Sequence, residues 1–237
     1  MDRSVTEEVY KTYSTAKHRL GSIIEWPDGS KFRFCKNGAV ALLAGVVTQG
    51  PLPIAAHLEM VVSVLAAIGA KQISATMGAT AVVKDQYKDG LVWVNKSTGI
   101  GHTYRIKGHA AAALSSVVTL DLYEHSPVVV AFGVASEVSM YSKFNGVLVH
   151  DSPPTAGLCG VTMCAVPIGY YHWEQVHGLC GVIASGTLVV GDSCVPSATA
   201  DGTVMPSVAF ETDGPLVGRV MTVNITAEHA LIDLCIE

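Results

Sequence analysis

The stretch from Tyr170 to Cys194, YYHWEQVHGLCGVIASGTLVVGDSC, limits what this chain can fold into more than any other. Its first part alternates aromatic and polar residues. On an extended chain, Tyr170, His172, Glu174 and Val176 point to one side, and Tyr171, Trp173, Gln175 and His177 to the other. Gly178 is expected to break the run, and LCGVIA and TLVVG follow, joined by Ser185-Gly186. A glycine in such a connection supplies the positive φ that a hairpin turn needs. The turn predicts Ile183 opposite Leu188 and Val182 opposite Val189, a hairpin apolar on both faces. A sheet with one wet side shows alternation instead, so this hairpin belongs inside a barrel or sandwich, or beneath another subunit.

From the start of the chain, residues 1–18 alternate poorly and carry mixed charge; they read as an arm ordered on a partner. GSIIEW, Pro27-Asp28-Gly29-Ser30 and KFRFCK form a hairpin in which Phe32 and Phe34 alternate with Arg33 and Cys35. AVALLAGVVTQG holds two short apolar runs and stops at the Pro51–Pro53 bend. LEMVVSVLAA fits a helix with Leu58, Val61, Val62 and Leu65 on one face, or a β-branched strand; the glycine behind it favours the strand. Residues 79–87 allow one helical turn. LVWVNK and HTYRIKGH make a hairpin with a longer loop, and VVTLDLY and VVVAFGVASEVSMY add two or three strands.

Asp151-Ser152-Pro153-Pro154 fixes two φ angles in succession and marks a domain boundary near 151–156. Beyond it lie GLCGVTMCAV, the opening stretch, an Asp201-Gly202 turn, GPLVGRVMTVN and HALIDLCIE. In the last, Ala230, Ile232, Leu234 and Ile236 share a face and belong inside a sheet. Short strands separated by glycine-rich turns, with no repeat of fixed period, predict an all-β protein. The expected layout is an extended N-terminal arm (1–18) and two β-barrel or sandwich-like domains, 19–150 and 151–237.

Of the 237 residues, 49% are apolar and only 15% are charged. So few charges imply that part of the outside faces protein. A membrane is not expected: the nearest apolar run, Ile54 to Ala70, is interrupted by His57, Glu59 and Gly69. The polar N-terminus has no apolar secretory core, and a net charge of −5 gives nucleic acid no basic stripe. The six cysteines lack a C-x-x-C pair and read as reduced core residues.

No enzyme motif emerges. His150-Asp151-Ser152 has triad residue types, but neighbouring side chains on an extended chain diverge, and no G-x-S-x-G elbow is present. Gly191-Asp192-Ser193 lies in a late β-region without the helix that a nucleophile block needs. Gly99-Ile100-Gly101 lacks the third glycine of a dinucleotide loop. His172 and His177 fall on opposite faces and do not chelate one metal together, and Cys159 and Cys164 are divided likewise. Trp93, Tyr104 and Tyr87 could form a binding platform, but hairpin aromatics more often fill a core or a subunit contact. Asn95-Lys96-Ser97 and Asn224-Ile225-Thr226 match the short glycosylation pattern, which arises often by chance. Catalytic residues, metal and cofactor are all expected to be absent.

LVWVNKSTGIGHTYRIKGH, then GVTMCAVPIGYYHWEQVHGLCGVIASGTLVVGDSCVPSATADGTV, and finally GPLVGRVMTVNITAEHALIDLCIE resemble virion structural proteins of tailed phages. The likeness is to those of cyanobacterial phages in particular, some assigned as capsid decoration or cement proteins. It spans roughly residues 18–237 and rests on a Y-x-W-x-Q-x-x-G strand, a GTLVVGD segment and a glycine- and valine-rich end. The chain carries more cysteine and histidine than such proteins are expected to. The resemblance implies a β-rich protein on the capsid outer surface, trimeric, bridging neighbouring major capsid protein subunits. Tyr10, Tyr13 and Trp93 are then the expected partner-binding residues. Two rivals are a head-fibre or tail module binding host-surface glycan, and a hydrolase using His150 or Ser193.

Overall fold

A computed structural model describes residues 8–207, 214–223 and 228–237. The chain opens with β1 (Ile23–Glu25), β2 (Lys31–Asn37) and β3 (Val47–Gln49). Next come β4 (Met60–Val61), β5 (Gln72–Thr76), β6 (Leu91–Lys96), β7 (Thr103–His109), β8 (Val117–Leu122) and β9 (Glu137–Tyr141). It finishes with β10 (Asn145–Val149), β11 (Leu158–Thr162), β12 (Tyr171–Ile183), β13 (Ser193–Pro196), β14 (Val204–Pro206), β15 (Gly218–Thr222) and β16 (His229–Cys235). The all-β expectation holds. Residues 79–87 form turns and a single bridge at Val82 instead of a helical turn.

Contacts divide the chain into two units, one from residues 1–51 and 146–237, the other from residues 52–145. The expected boundary near 151–156 is therefore corrected: the second unit is inserted into the first. The reason lies in strand pairing. β3 and β10, which flank the insertion, are neighbours (Leu148 opposite Gln49, Val149 opposite Thr48), so the chain leaves and returns at adjacent points. The Asp151–Pro154 bend only links β10 to β11, two strands of the same barrel.

In the first unit the order β2-β10-β3-β11-β12 returns to β2 and closes a five-stranded barrel. β12 is long enough to serve three partners. Its first half pairs with β2 and β11, its second with β16, and His177 faces both Lys31 and Cys235 at the hand-over. Gly178 does not end the strand as expected. It takes φ +85° and passes so close to Ser30 that a Cβ would stand 2.8 Å from Oγ. The expected 180–190 hairpin is also corrected, because Ile183 lies opposite His229 and Val182 opposite Ala230. HALIDLC supplies a longer alternating partner than TLVVG could, burying Ala230, Ile232 and Leu234 completely.

In the second unit the order is β4-β9-β6-β7-β8-β5. Its ends nearly meet: Val62 bridges Ala75, and the Ser63 N–H donates to the Ser74 carbonyl. Ile73, Val92, Tyr104, Ile106, Leu120, Phe132 and Met140 fill the interior. LEMVVSVLAA contributes only Met60–Val61 to the sheet, with Val62 inside and Leu65 outside, so it presents no helical face.

One turn recurs in both units. A bridge residue is followed three positions on by a residue with positive φ: Leu42/Gly45, Ala66/Gly69, Val82/Asp85, Ala112/Ser115 and Val166/Gly169, with φ between 56° and 84°. The bridge residue or its partner anchors the turn, and the left-handed residue swings the chain into the next strand. The tip between them must point outward. Leu43, Ile68, Val83, Leu114 and Ile168 occupy those tips and are exposed.

Candidate interaction surfaces

The polar centre of the first barrel follows from the parity of the β12 sequence. Trp173 and Tyr171 face Phe34 across the outer surface, where the Trp173 and Phe34 rings lie 5.0 Å apart. His172 and Glu174 face the other way. Glu174 Oε1 accepts from His172 Nε2 at 2.9 Å, and Oε2 accepts from the Thr48 hydroxyl at 2.8 Å and the Cys35 thiol at 3.4 Å. Cys35 and Thr48 sit on β2 and β3, which are not adjacent, so one carboxylate reaches both only from inside the barrel. Glu174, His172, Cys35 and Thr48 are fully buried. Cysteine, histidine and glutamate are the types of a nucleophilic triad, but here the carboxylate stands between the other two and no substrate can reach them. The cluster ties three strands, β2, β3 and β12, together.

The second unit has its own buried polar group. His57 Nδ1 accepts from the Tyr87 hydroxyl at 2.5 Å, and its Nε2 donates to the Thr80 carbonyl at 3.2 Å. The Tyr87 N–H donates to His109 Nε2 at 3.0 Å. Burial lowers the His57 pKa from its usual range, and the Tyr87 hydroxyl is pushed up to about 12 by the same cause. The folded state thus holds His57 neutral, while the unfolded chain protonates it near its ordinary value. Stability is fully present above about pH 6.5 and is lost as pH falls towards the lowered folded value. Calorimetric scans from about pH 7.5 to about pH 5 should show a falling melting temperature. His57→Asn should flatten that dependence; an unchanged slope would remove His57 as its source.

The remaining sequence candidates separate. His150 is buried between the Asp151 and Thr203 carbonyls, at 2.7 Å and 2.9 Å, and Ser152 turns away to donate to Asp201. Hydrogen bonds from Thr155 and Gln49 hold the Asp151 carboxyl below its usual range. The six cysteines form no disulfide; Cys35, Cys159, Cys180 and Cys194 are buried, but Cys235 is exposed, which corrects the reading of all six as core. Burial pushes the Cys180 and Cys194 thiols up to about 12, which makes them poor nucleophiles. Among the described residues no group of three or more His, Cys, Asp or Glu could hold a metal ion, and no helix is long and apolar enough to cross a membrane. Asn224-Ile225-Thr226 lies outside the described residues.

The aromatic platform does not form: Tyr87 and Tyr104 lie in the core, and Trp93 is half-buried on the other face of β6. Trp93 joins Pro53, Leu58, Leu91 and Tyr141 around an open slot of about 320 Å³. A larger groove of about 700 Å³ sets Lys71, Lys84 and Lys107 against Asp85, Asp121 and Glu124. Tyr10 is exposed, but Tyr13 pairs with Tyr171 through two 2.8 Å backbone hydrogen bonds. Val9 and His18 also pack on the Phe34–Trp173 face. The described part of the arm therefore covers its own barrel, because Phe34 and Trp173 need an apolar lid.

Sequence reading missed the outward aliphatic tips, since AVALLAG and VVVAFGV look like core strands. The signal was an apolar residue followed three positions later by glycine, aspartate or serine.

By fold, the chain is a closed five-stranded β-barrel interrupted by a nearly closed six-stranded one. It matches no family model, no curated protein and no solved structure.

Proposed function

We propose that this protein is a structural component of a phage virion. It sits on the capsid outer surface and bridges major capsid protein subunits as a homo-oligomer, with a trimer the expected form. The observation that carries the reading is the set of exposed aliphatic tips on both units: Leu43, Ile68, Val83, Leu114 and Ile168. A protein working alone in water has little reason to bare so many large apolar side chains on ordered turns, whereas one seated among other proteins buries them. The resemblance to capsid decoration proteins gives the same direction. Trp93 and its slot suit an aliphatic or aromatic anchor from a capsid subunit.

The glycan-binding alternative is less well supported. Sugar sites combine an aromatic face with hydrogen-bonding groups. The Trp93 slot is lined by apolar and aromatic residues, and the lysine-lined groove has no Trp, Tyr or Phe.

Cosedimentation with shells assembled from the major capsid protein tests the proposal. Saturable binding is expected, weakened at least about tenfold by Trp93→Ala with melting temperature unchanged. A wild-type protein that never sediments with shells would end the proposal.

A further inference from the structure

Three segments of the second unit, residues 62–70, 97–101 and 126–136, contain no Asp, Glu, Lys, Arg or His. The fold brings them together. Ala66 and Phe132 exchange backbone hydrogen bonds of 2.8 and 3.1 Å, and the Gly69 N–H donates to the Val128 carbonyl at 2.7 Å. Residues 64–70 and 128–134 thus run antiparallel. The 97–101 loop lies against them: the Ser136 hydroxyl donates to the Thr98 carbonyl at 2.9 Å, and Gly99 abuts the Phe132 ring. The result is one end of the unit on which Val64, Leu65, Ile68, Ile100, Val129 and Val134 are each 56–71% exposed.

We propose that this uncharged end is the face through which copies of the chain join. It deepens the bridging proposal above, which it rests on only for the expectation of more than one copy. Two observations select a second copy as the occupant. The first is area. At on the order of 100 Å² of bare surface each, six aliphatic side chains offer about 600 Å². With the polar groups around them, that approaches the roughly 800 Å² that each partner contributes to a standard stable interface.

The second observation is the rim. Lys96–Glu137 and Lys71–Glu124 ion pairs flank the three segments, so both signs of charge border the apolar centre. A rim carrying both signs is able to complement its own copy, as contact about a symmetry axis requires. Sugars, nucleotides and nucleic acids find no hydrogen-bonding or basic group at the centre of this face.

Sedimentation equilibrium of the full chain, without capsids, tests the inference. Wild type should associate in the micromolar range, and Ile68→Asp/Val134→Asp should weaken association at least about a hundredfold. Both side chains are exposed, so the melting temperature should stay near that of wild type. Ile100→Asp, on the third segment, should act in the same direction and serves if the double variant folds poorly. Val190→Asp, at an exposed position of the first unit, should leave the mass unchanged. A wild-type monomer at about 100 µM would overturn the inference, as would a double variant of wild-type mass. Either result leaves capsid binding to be decided separately. An associating protein that ignores shells would instead remove the capsid reading and spare this face.

Discussion

Glu174→Ala should lower the stability of the first barrel by about 3–5 kcal/mol, the cost of removing one partner from a buried ionisable pair. The loss falls mainly on His172. The Thr48 hydroxyl also has the Gly160 carbonyl at 3.1 Å, and the Cys35 thiol has the Arg33 carbonyl at 3.7 Å. His172 has no such second choice: its Nδ1 is already buried without a partner, and losing Glu174 leaves Nε2 unpaired as well. His172→Leu/Glu174→Met replaces both groups by apolar ones of similar size and should recover most of the loss. Denaturant titration on a Trp93→Phe background reads this directly, since Trp26 and Trp173 both lie in the first unit. If the double variant loses as much stability as Glu174→Ala, the unpaired His172 is not the source of the cost.

Gly218→Ala should be at least as damaging, with a cost above about 3 kcal/mol or failure to fold. The cause is backbone, not side chain. A Cβ on Gly218 would stand 2.2 Å from the Asp233 carbonyl oxygen and 2.9 Å from its carbon. That carbonyl belongs to the β15–β16 ladder, where Gly218 pairs with Leu234 and Arg219 with Asp233, so it cannot step aside without breaking the pairing. Gly157→Ala supplies the contrast. Its Cβ would meet nothing within 4 Å, and its φ is not in the left-handed region, so the change should stay within about 0.5 kcal/mol. Equal midpoints for the two variants would show that the β15–β16 backbone has slack that the geometry denies.

Much of this architecture could be read along the chain. Phe32 and Phe34, the β6–β7 hairpin and the Ala230–Ile232–Leu234 face were legible because strand alternation is a local property. The opposite facing of His172/Glu174 and Tyr171/Trp173 was legible for the same reason. Partner choice was not. Whether Val182 met Val189 or Ala230 depended on a strand 48 residues away in sequence, and a two-residue turn signal could not reveal it. Nor could an Asp-Ser-Pro-Pro bend report that residues 52–145 are an insertion, since that depends on β3 lying beside β10.

The sequence by itself determined that this protein is built of strands, and which side of each strand its residues occupy, because side-chain direction repeats every two residues wherever the chain is extended. Only the tertiary structure decided which strands are neighbours, that a carboxylate lies inside a barrel, and that apolar turn tips stand in the open. Those outcomes are set by long-range pairing, which alternation along a single strand does not encode.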